Sequence, residues 1–331
     1  MAKRSPRLIL LSTIILVPLL AVIALGCGRI SLSPVEIWTG LTQPSRNPAI
    51  TNILYTIRLP RIFGALLIGA GLAAAGGAFQ SVFQNPLVSP DILGVSYGAA
   101  VGAAIAILAG GGIWPTQLGA FAGGIIAVVI TLFVARILGQ RGMLILVLSG
   151  IVISGFMQAI LGLLKYIADP DSQLQSIVYW QLGSLAKVDL PSIAATLPAL
   201  LIGGITLGLL RWHLTVLSLG DHLATSTGLN VRLERLLVIV AGTLLTAATV
   251  CLSGNIGWVG LVIPHMARRL VGTDERYALP LSALVGALFL LLIDTLARTI
   301  SAGEIPLSIL TGFVGAPLFI YLLVRKKAQY P

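Results

Sequence analysis

The chain repeatedly presents apolar runs, with few charges, long enough to cross a lipid bilayer, and this recurrence limits its fold more than any single motif. A spanning helix needs roughly 20 apolar residues, and its backbone groups must be satisfied within the segment because no water is present at that depth. Ten segments qualify, at about 8–28, 61–83, 91–109, 116–135, 143–164, 191–210, 233–252, 256–270, 279–299 and 305–324. The connections are too short for a second domain, so residues 1–331 are expected to form one all-α polytopic domain. Short helices are expected outside the spans at 33–41, 172–186 and 217–227. Composition agrees: 10% of the residues are charged, against about 25% in soluble domains.

A net charge of +10 invites a nucleic-acid reading. The basic residues are scattered between spans and form no single face, so topology explains them better. With a cytoplasmic amino terminus, fourteen of the 21 Lys and Arg residues fall inside, among them Lys3, Arg4, Arg141, Arg235 and Arg269. Basic ends on the same side require an even number of spans, which ten satisfies. Lys3, Arg4 and Arg7 followed by an apolar run ending at Cys27 loosely resemble a lipoprotein signal. That run is too long for a signal core, and its removal would leave an odd number of spans. It is therefore expected to be the first membrane helix. Cys27 and Cys251, the two cysteines, define neither a disulfide framework nor a metal site and read as packing residues.

No energy-converting motif is present in the sequence. It contains no G-x-x-x-x-G-K-[ST] phosphate loop, H-E-x-x-H or G-x-S-x-G, and His213, His222 and His265 lack a second ligand at helical spacing. Energy must then come from an ion gradient or from a partner. Asp294 is the acidic residue deep in an apolar run, the placement a gradient-driven carrier would use. Arg298, four residues on, can neutralise it from the same helix face, which favours a structural role. A partner is suggested by residues 211–235, where Leu214, Leu217, Leu219, Leu223 and Leu229 recur and Gly220 and Gly228 punctuate. Two short amphipathic helices are expected there, resting on the protein's own helix ends or docking into a groove on a soluble ATPase.

Between Arg58 and Gly98, two Gly- and Ala-rich apolar segments flank the uncharged turn Gln84-Asn85-Pro86-Leu87. Small residues let helices approach closely in a bilayer. A Pro-containing turn at that depth must be buried in protein or face a water-filled path, so this stretch is expected to belong to a translocation pathway. Over nearly its whole length it resembles the FecCD permeases, membrane subunits of ATP-driven importers for iron-siderophores, haem and cobalamin. Residues 254–272, 281–299 and 304–323 also resemble family signatures, so the likeness runs from about residue 30 to the end.

The resemblance implies a homodimer of ten-helix subunits in the bacterial inner membrane, with the pathway at the dimer interface and both termini cytoplasmic. It further implies two copies of a separate ATPase carrying ATP and Mg, a periplasmic substrate-binding protein, and no cofactor or metal on this chain. Leu219, Gly220, Asp221, Ala224 and Gly228 match the family's ATPase-coupling segment. Asn85, Pro86 and Leu87 become candidates for the cytoplasmic constriction. Arg58, Arg61 and Arg298 match outward arginines that receive acidic residues of the binding protein; ordinary snorkelling at the lipid interface is their other reading. The segment 165–185 carries an Ala-Asp-Pro-x-x-Gln-Leu pattern associated with part of the family, some of whose members import molybdate or tungstate, so an oxyanion is the alternative cargo.

Overall fold

A computed structural model describes residues 5–139, 143–301 and 303–327. Lys3, Arg4 and Arg141, used above to assign topology, lie outside the described residues. Fifteen α-helices follow in order: α1 (Pro6–Gly26), α2 (Pro34–Thr42), α3 (Pro48–Asn52), α4 (Leu59–Val82), α5 (Val95–Leu108), α6 (Ile113–Ile137), α7 (Met143–Ile167), α8 (Gln173–Leu182), α9 (Leu190–Leu209), α10 (Arg211–Ser218), α11 (Asp221–Ser226), α12 (Val231–Ser253), α13 (Val259–Val271), α14 (Glu275–Ile300) and α15 (Leu307–Lys327). A π-helical stretch, Ile53–Arg58, joins α3 to α4, and a 3-10 turn, Pro90–Leu93, precedes α5. Eight helical stretches among the described residues are long and apolar enough to cross a membrane; α5 is a shorter apolar helix, and the 13-residue α13, which ends in Arg268 and Arg269, stands where the span 256–270 is expected.

Local chemistry sets the helix starts. Pro6, Pro34 and Pro48 occupy first helical positions, where a missing N–H costs nothing. Ser33 and Glu36 form a reciprocal capping box at α2, and Asp189 Oδ1 accepts from Ser192 N at 2.8 Å at the head of α9. The expected 172–186 helix stops at Leu182 because Gly183 adopts φ 72. The two short helices expected within 211–235 are present as α10 and α11, and the break between them, Gly220 at φ 111, falls inside the expected 217–227 helix.

α4 is the hub, packing on α14, α12, α13 and α9. Side chains are absent where backbones touch: a Cβ on Gly76 would lie 1.9 Å from the Gly260 carbonyl oxygen of α13. Here small residues replace the hydrophobic force that lipid cannot supply between helices. α1, α6, α7 and α9 instead leave long apolar side chains exposed, such as Ile15, Phe133, Phe156 and Ile202, as helices facing lipid do. The chain is thus membrane-embedded.

The bundle has two distinct ends. One, called here the coupling end, gathers α10, α11, the turn at 84–88 and the α13–α14 connection, which are joined by hydrogen bonds. The far end carries the α5–α6 turn, α8, residues 254–258 and the start of α15. There Ser184 N donates to Ser253 O at 2.7 Å and Leu307 N to Gly183 O at 3.0 Å.

Candidate coupling and gate site

At the coupling end, one leucine set faces in and another faces out. Leu214, Leu217 and Ala224 are fully buried, with Val216 beside them in the same core cluster. Leu219 and Leu223 are exposed at 64% and 54%. The two readings of this loop are therefore complementary: one face fixes α10 and α11 to the bundle, and the other is free for a partner. The reversal occurs at Gly220, whose positive φ an L side chain rarely adopts. Gly228 holds φ 83 where α11 turns towards α12. A Cβ at either glycine meets no atom within 4 Å, so backbone conformation, and not space, selects glycine.

Asp221 opens α11 and is bonded by the guanidinium of Arg235 from α12. The same Oδ1 lies 3.4 Å from Gln84 Nε2, which also donates to the Leu217 carbonyl at 3.2 Å. Gln84 is thus a strut between α10–α11 and the turn that carries Asn85, Pro86 and Leu87. It holds φ 50, uncommon without glycine. Sequence reading placed Gln84 in the turn but gave it no role, and the only available signal was a long amide before Asn-Pro. Asn85, Pro86 and Leu87 are all exposed in the single subunit. Asn85 Oδ1 accepts from Leu87 N at 2.9 Å, and Asn85 N donates to Gln80 O at 3.1 Å, so the turn is closed by its own bonds.

A second connection runs through the base of α4. Arg268 of α13 donates to Glu275 Oε1 (2.7 Å), Gln80 Oε1 (2.5 Å), the Gly77 carbonyl (2.8 Å) and Ser81 Oγ (3.1 Å). Ser81 Oγ donates to Glu275 Oε1 at 2.9 Å. Glu275 N donates to Thr215 Oγ1 of α10 at 2.9 Å. A charge-assisted cluster of this kind is stiff, and it ties α4, α13 and α14 to α10. Nearby, hydrogen bonds from Arg276 hold the Asp274 carboxyl below the usual range.

The far end corrects one expectation. Arg58, Arg61 and Arg298 are not exposed; they are 3%, 4% and 8% accessible. Arg58 donates to the carbonyls of Leu25 and Ile30. Arg61 donates to Asp294 Oδ1 at 2.7 Å and Glu304 Oε1 at 2.9 Å. Arg298 Nη2 donates to the Ala24 carbonyl at 2.6 Å, and its Nε lies 3.6 Å from Asp294 Oδ2. The expected Asp294–Arg298 pair is present, but Arg61 makes the closer contact. Chain carbonyls and carboxylates brought from α1, α14 and residue 304 draw these arginines inward, since a buried guanidinium must be paired and bonded. Among the described residues no cluster of three or more His, Cys, Asp or Glu could hold a metal.

The FecCD transport family model matches residues 14–325. The molybdate import system permease protein MolB of Haemophilus influenzae is 42% identical over 97% of this chain and 96% of its own. The probable iron chelatin transport system permease protein of Helicobacter pylori is 41% identical over 93% and 96%. A solved inward-facing structure described as of metal-chelate ABC transporter type is 38% identical, covers 96% of this chain and 99% of its own, and superposes with a TM-score of 0.85. With the family model spanning nearly the whole sequence and the fold superposing end to end, the chain belongs to the FecCD transport family.

Proposed function

We propose that this chain is the permease subunit of an ATP-driven importer, acting as a homodimer with two copies of a separate ATPase and one substrate-binding protein. The coupling end faces the cytoplasm of a bacterial cell, both termini lie on that side of the inner membrane, and the far end faces the binding protein. ATP and Mg belong to the ATPase. The cargo is a metal-containing compound of the iron-siderophore, haem or cobalamin kind. The 42% identity to a molybdate permease keeps an oxyanion as the second reading.

The observation that carries this proposal is the divided leucine surface of α10 and α11 beside the Gln84 strut. Leu219 and Leu223 fit a groove on the ATPase. When that subunit closes on ATP, the displaced α10–α11 pair pulls Gln84 and with it the turn at Asn85, Pro86 and Leu87, the proposed inner constriction. Arg268 and Glu275 carry the same displacement into α4 and α13. The pathway then opens alternately to each side of the membrane. Docking of the binding protein at Arg58, Arg61 and Arg298 is proposed through the field of the cluster: three guanidiniums face two carboxylates, Asp294 and Glu304, and leave a positive excess. Such fields set encounter rate and register more than affinity.

Gly220→Leu with Gly228→Leu tests the coupling role. The double variant should insert normally but lose substrate-stimulated ATP hydrolysis in proteoliposomes. Full stimulation would remove α10–α11 as the coupling segment. A gradient-driven carrier would use Asp294 to bind its coupling ion, whereas here both of its oxygens face guanidinium groups, Arg61 at 2.7 Å and Arg298 at 3.6 Å.

A further inference from the structure

α12 is covered along one part of its length and open along another. From Ala247 to Cys251 its side chains are buried, whereas Leu233, Leu236, Leu237 and Val240, in the half nearest the coupling end, are 50%, 46%, 38% and 45% exposed. α9 runs beside it: a Cβ on Gly203 would lie 2.8 Å from the Ala241 carbonyl oxygen, so the last turns of α9 stand level with the first turns of α12. There α9 exposes Ile205 and Leu209. The two helices thus present bare apolar surface at the same height, and lipid chains cover surface of this kind.

The end of that surface is basic. α10 starts two residues after α9 ends, and His213 Nδ1 lies 3.0 Å from Glu234 Oε2, which pins the start of α10 to the first turn of α12. Arg211 and Arg232 each stand two residues before this contact, and both are exposed. Neither enters an ion pair among the described residues, because the acids nearby are taken: Glu234 faces His213, and Asp221 faces Arg235. Trp212 sits in the same junction, 44% exposed and edge-on to the His213 ring with centroids 5.2 Å apart. An amphipathic indole between apolar surface and unpaired guanidiniums matches the boundary between acyl chains and headgroups. Guanidiniums there favour phosphate oxygens, which they can bond two at a time.

We propose that the foot of α9 and α12 is a binding site for an anionic phospholipid. Arg211 and Arg232 hold its phosphate, Trp212 packs at the level of its glycerol, and an acyl chain covers Leu237 and Val240. Its placement in the inner leaflet rests on the topology proposed above; the binding itself does not.

Brominated lipids test the contact, because bromine quenches tryptophan at short range. The full-length permease would be placed in phosphatidylcholine nanodiscs with a stepped fraction of brominated phosphatidylglycerol or brominated phosphatidylcholine, and the emission lost in Trp212→Phe taken as the Trp212 signal. Phosphatidylglycerol should quench that signal saturably and with a roughly 30-fold preference, about fivefold from each arginine. Arg211→Gln and Arg232→Gln should each remove about fivefold, and the double variant the whole preference. Arg276→Gln, which removes a guanidinium already held by Asp274, should keep it. Equal quenching by the two lipids, or a preference that survives the double variant, overturns the site. An equal loss in Arg276→Gln would reduce it to general surface charge. Quenching by neither lipid means that protein covers Trp212, and reversal by soluble glycerol 3-phosphate means a free-anion site; either result overturns the lipid. Labelling of Arg232→Cys, in a Cys27→Ser, Cys251→Ser background, by an impermeant thiol reagent outside intact cells would overturn the inner-leaflet placement alone.

Discussion

Replacing Asp294 with alanine should destabilise the permease more than almost any other single change at the far end. Its side chain is wholly buried, 2.7 Å from Arg61 and 3.6 Å from Arg298. Removing the carboxylate leaves Arg61 with Glu304 and Arg298 with the Ala24 carbonyl. Three guanidiniums, each buried, would then share one acidic partner, the partly exposed Glu304. Breaking a buried pair from one side costs about 3–5 kcal/mol, a large part of the roughly 5–15 kcal/mol that holds a folded protein together. At about 2 °C per kcal/mol for a long chain, the thermal midpoint should fall by roughly 6–10 °C. Asp294→Asn keeps an acceptor for the Arg61 Nε–H and should lose less. The assay is retention of monodisperse permease in detergent after graded heating, with ATP-driven uptake measured on the survivors. An Asp294→Ala midpoint within about 1 °C of wild type would refute the clamp. Loss of uptake by a fully stable Asp294→Asn protein would revive the carrier reading.

Three further predictions follow from contacts elsewhere. Gly76→Leu sets side-chain atoms where a Cβ alone would be 1.9 Å from the Gly260 carbonyl; overpacking costs at least about 1–3 kcal/mol, so membrane-inserted yield should fall sharply, while Gly155→Ala, where a Cβ meets nothing and the helical backbone accepts it, should be mild. Cysteines at Asn85 or Leu87 in a Cys27→Ser, Cys251→Ser background should cross-link between subunits in at least one nucleotide state, and an active protein that never cross-links would move the constriction elsewhere. Because hydrogen bonds from Arg276 depress the Asp274 carboxyl, its contribution to stability is present above the unfolded carboxylate pKa and lost as pH falls through the folded one; Asp274→Asn should therefore flatten the acid limb of a stability–pH profile.

Segment position was readable because hydropathy is local. The expected spans 143–164 and 233–252 became α7 at 143–167 and α12 at 231–253. The helical run at 48–58 was missed because Arg58 and Pro60 read as the mouth of a span; in the structure Pro60 sits in the first turn of α4, where it is tolerated. The far-end arginines were misjudged for a different reason. Arg58 finds its carbonyls 33 and 28 residues back, and Arg61 finds its carboxylates 233 and 243 residues ahead, so no spacing rule could reach them. Asp294 with Arg298 was visible because four residues make one helical turn. At the coupling end the leucine pattern was legible, but its division into anchoring and exposed faces depended on the Gly220 break. Gln84 was not legible, since its role comes from a backbone angle and partners on α10 and α11.

The central claim is that motion of α10 and α11, driven by a bound ATPase, powers transport. Its most direct measurement is cargo uptake into proteoliposomes holding the permease and its ATPase, with loaded binding protein outside and either ATP inside or an imposed proton or sodium gradient without nucleotide. The account predicts uptake with ATP alone, none with either gradient alone, and none with ATP when Leu219 and Leu223 are both changed to aspartate. Uptake driven by a gradient without nucleotide would contradict it.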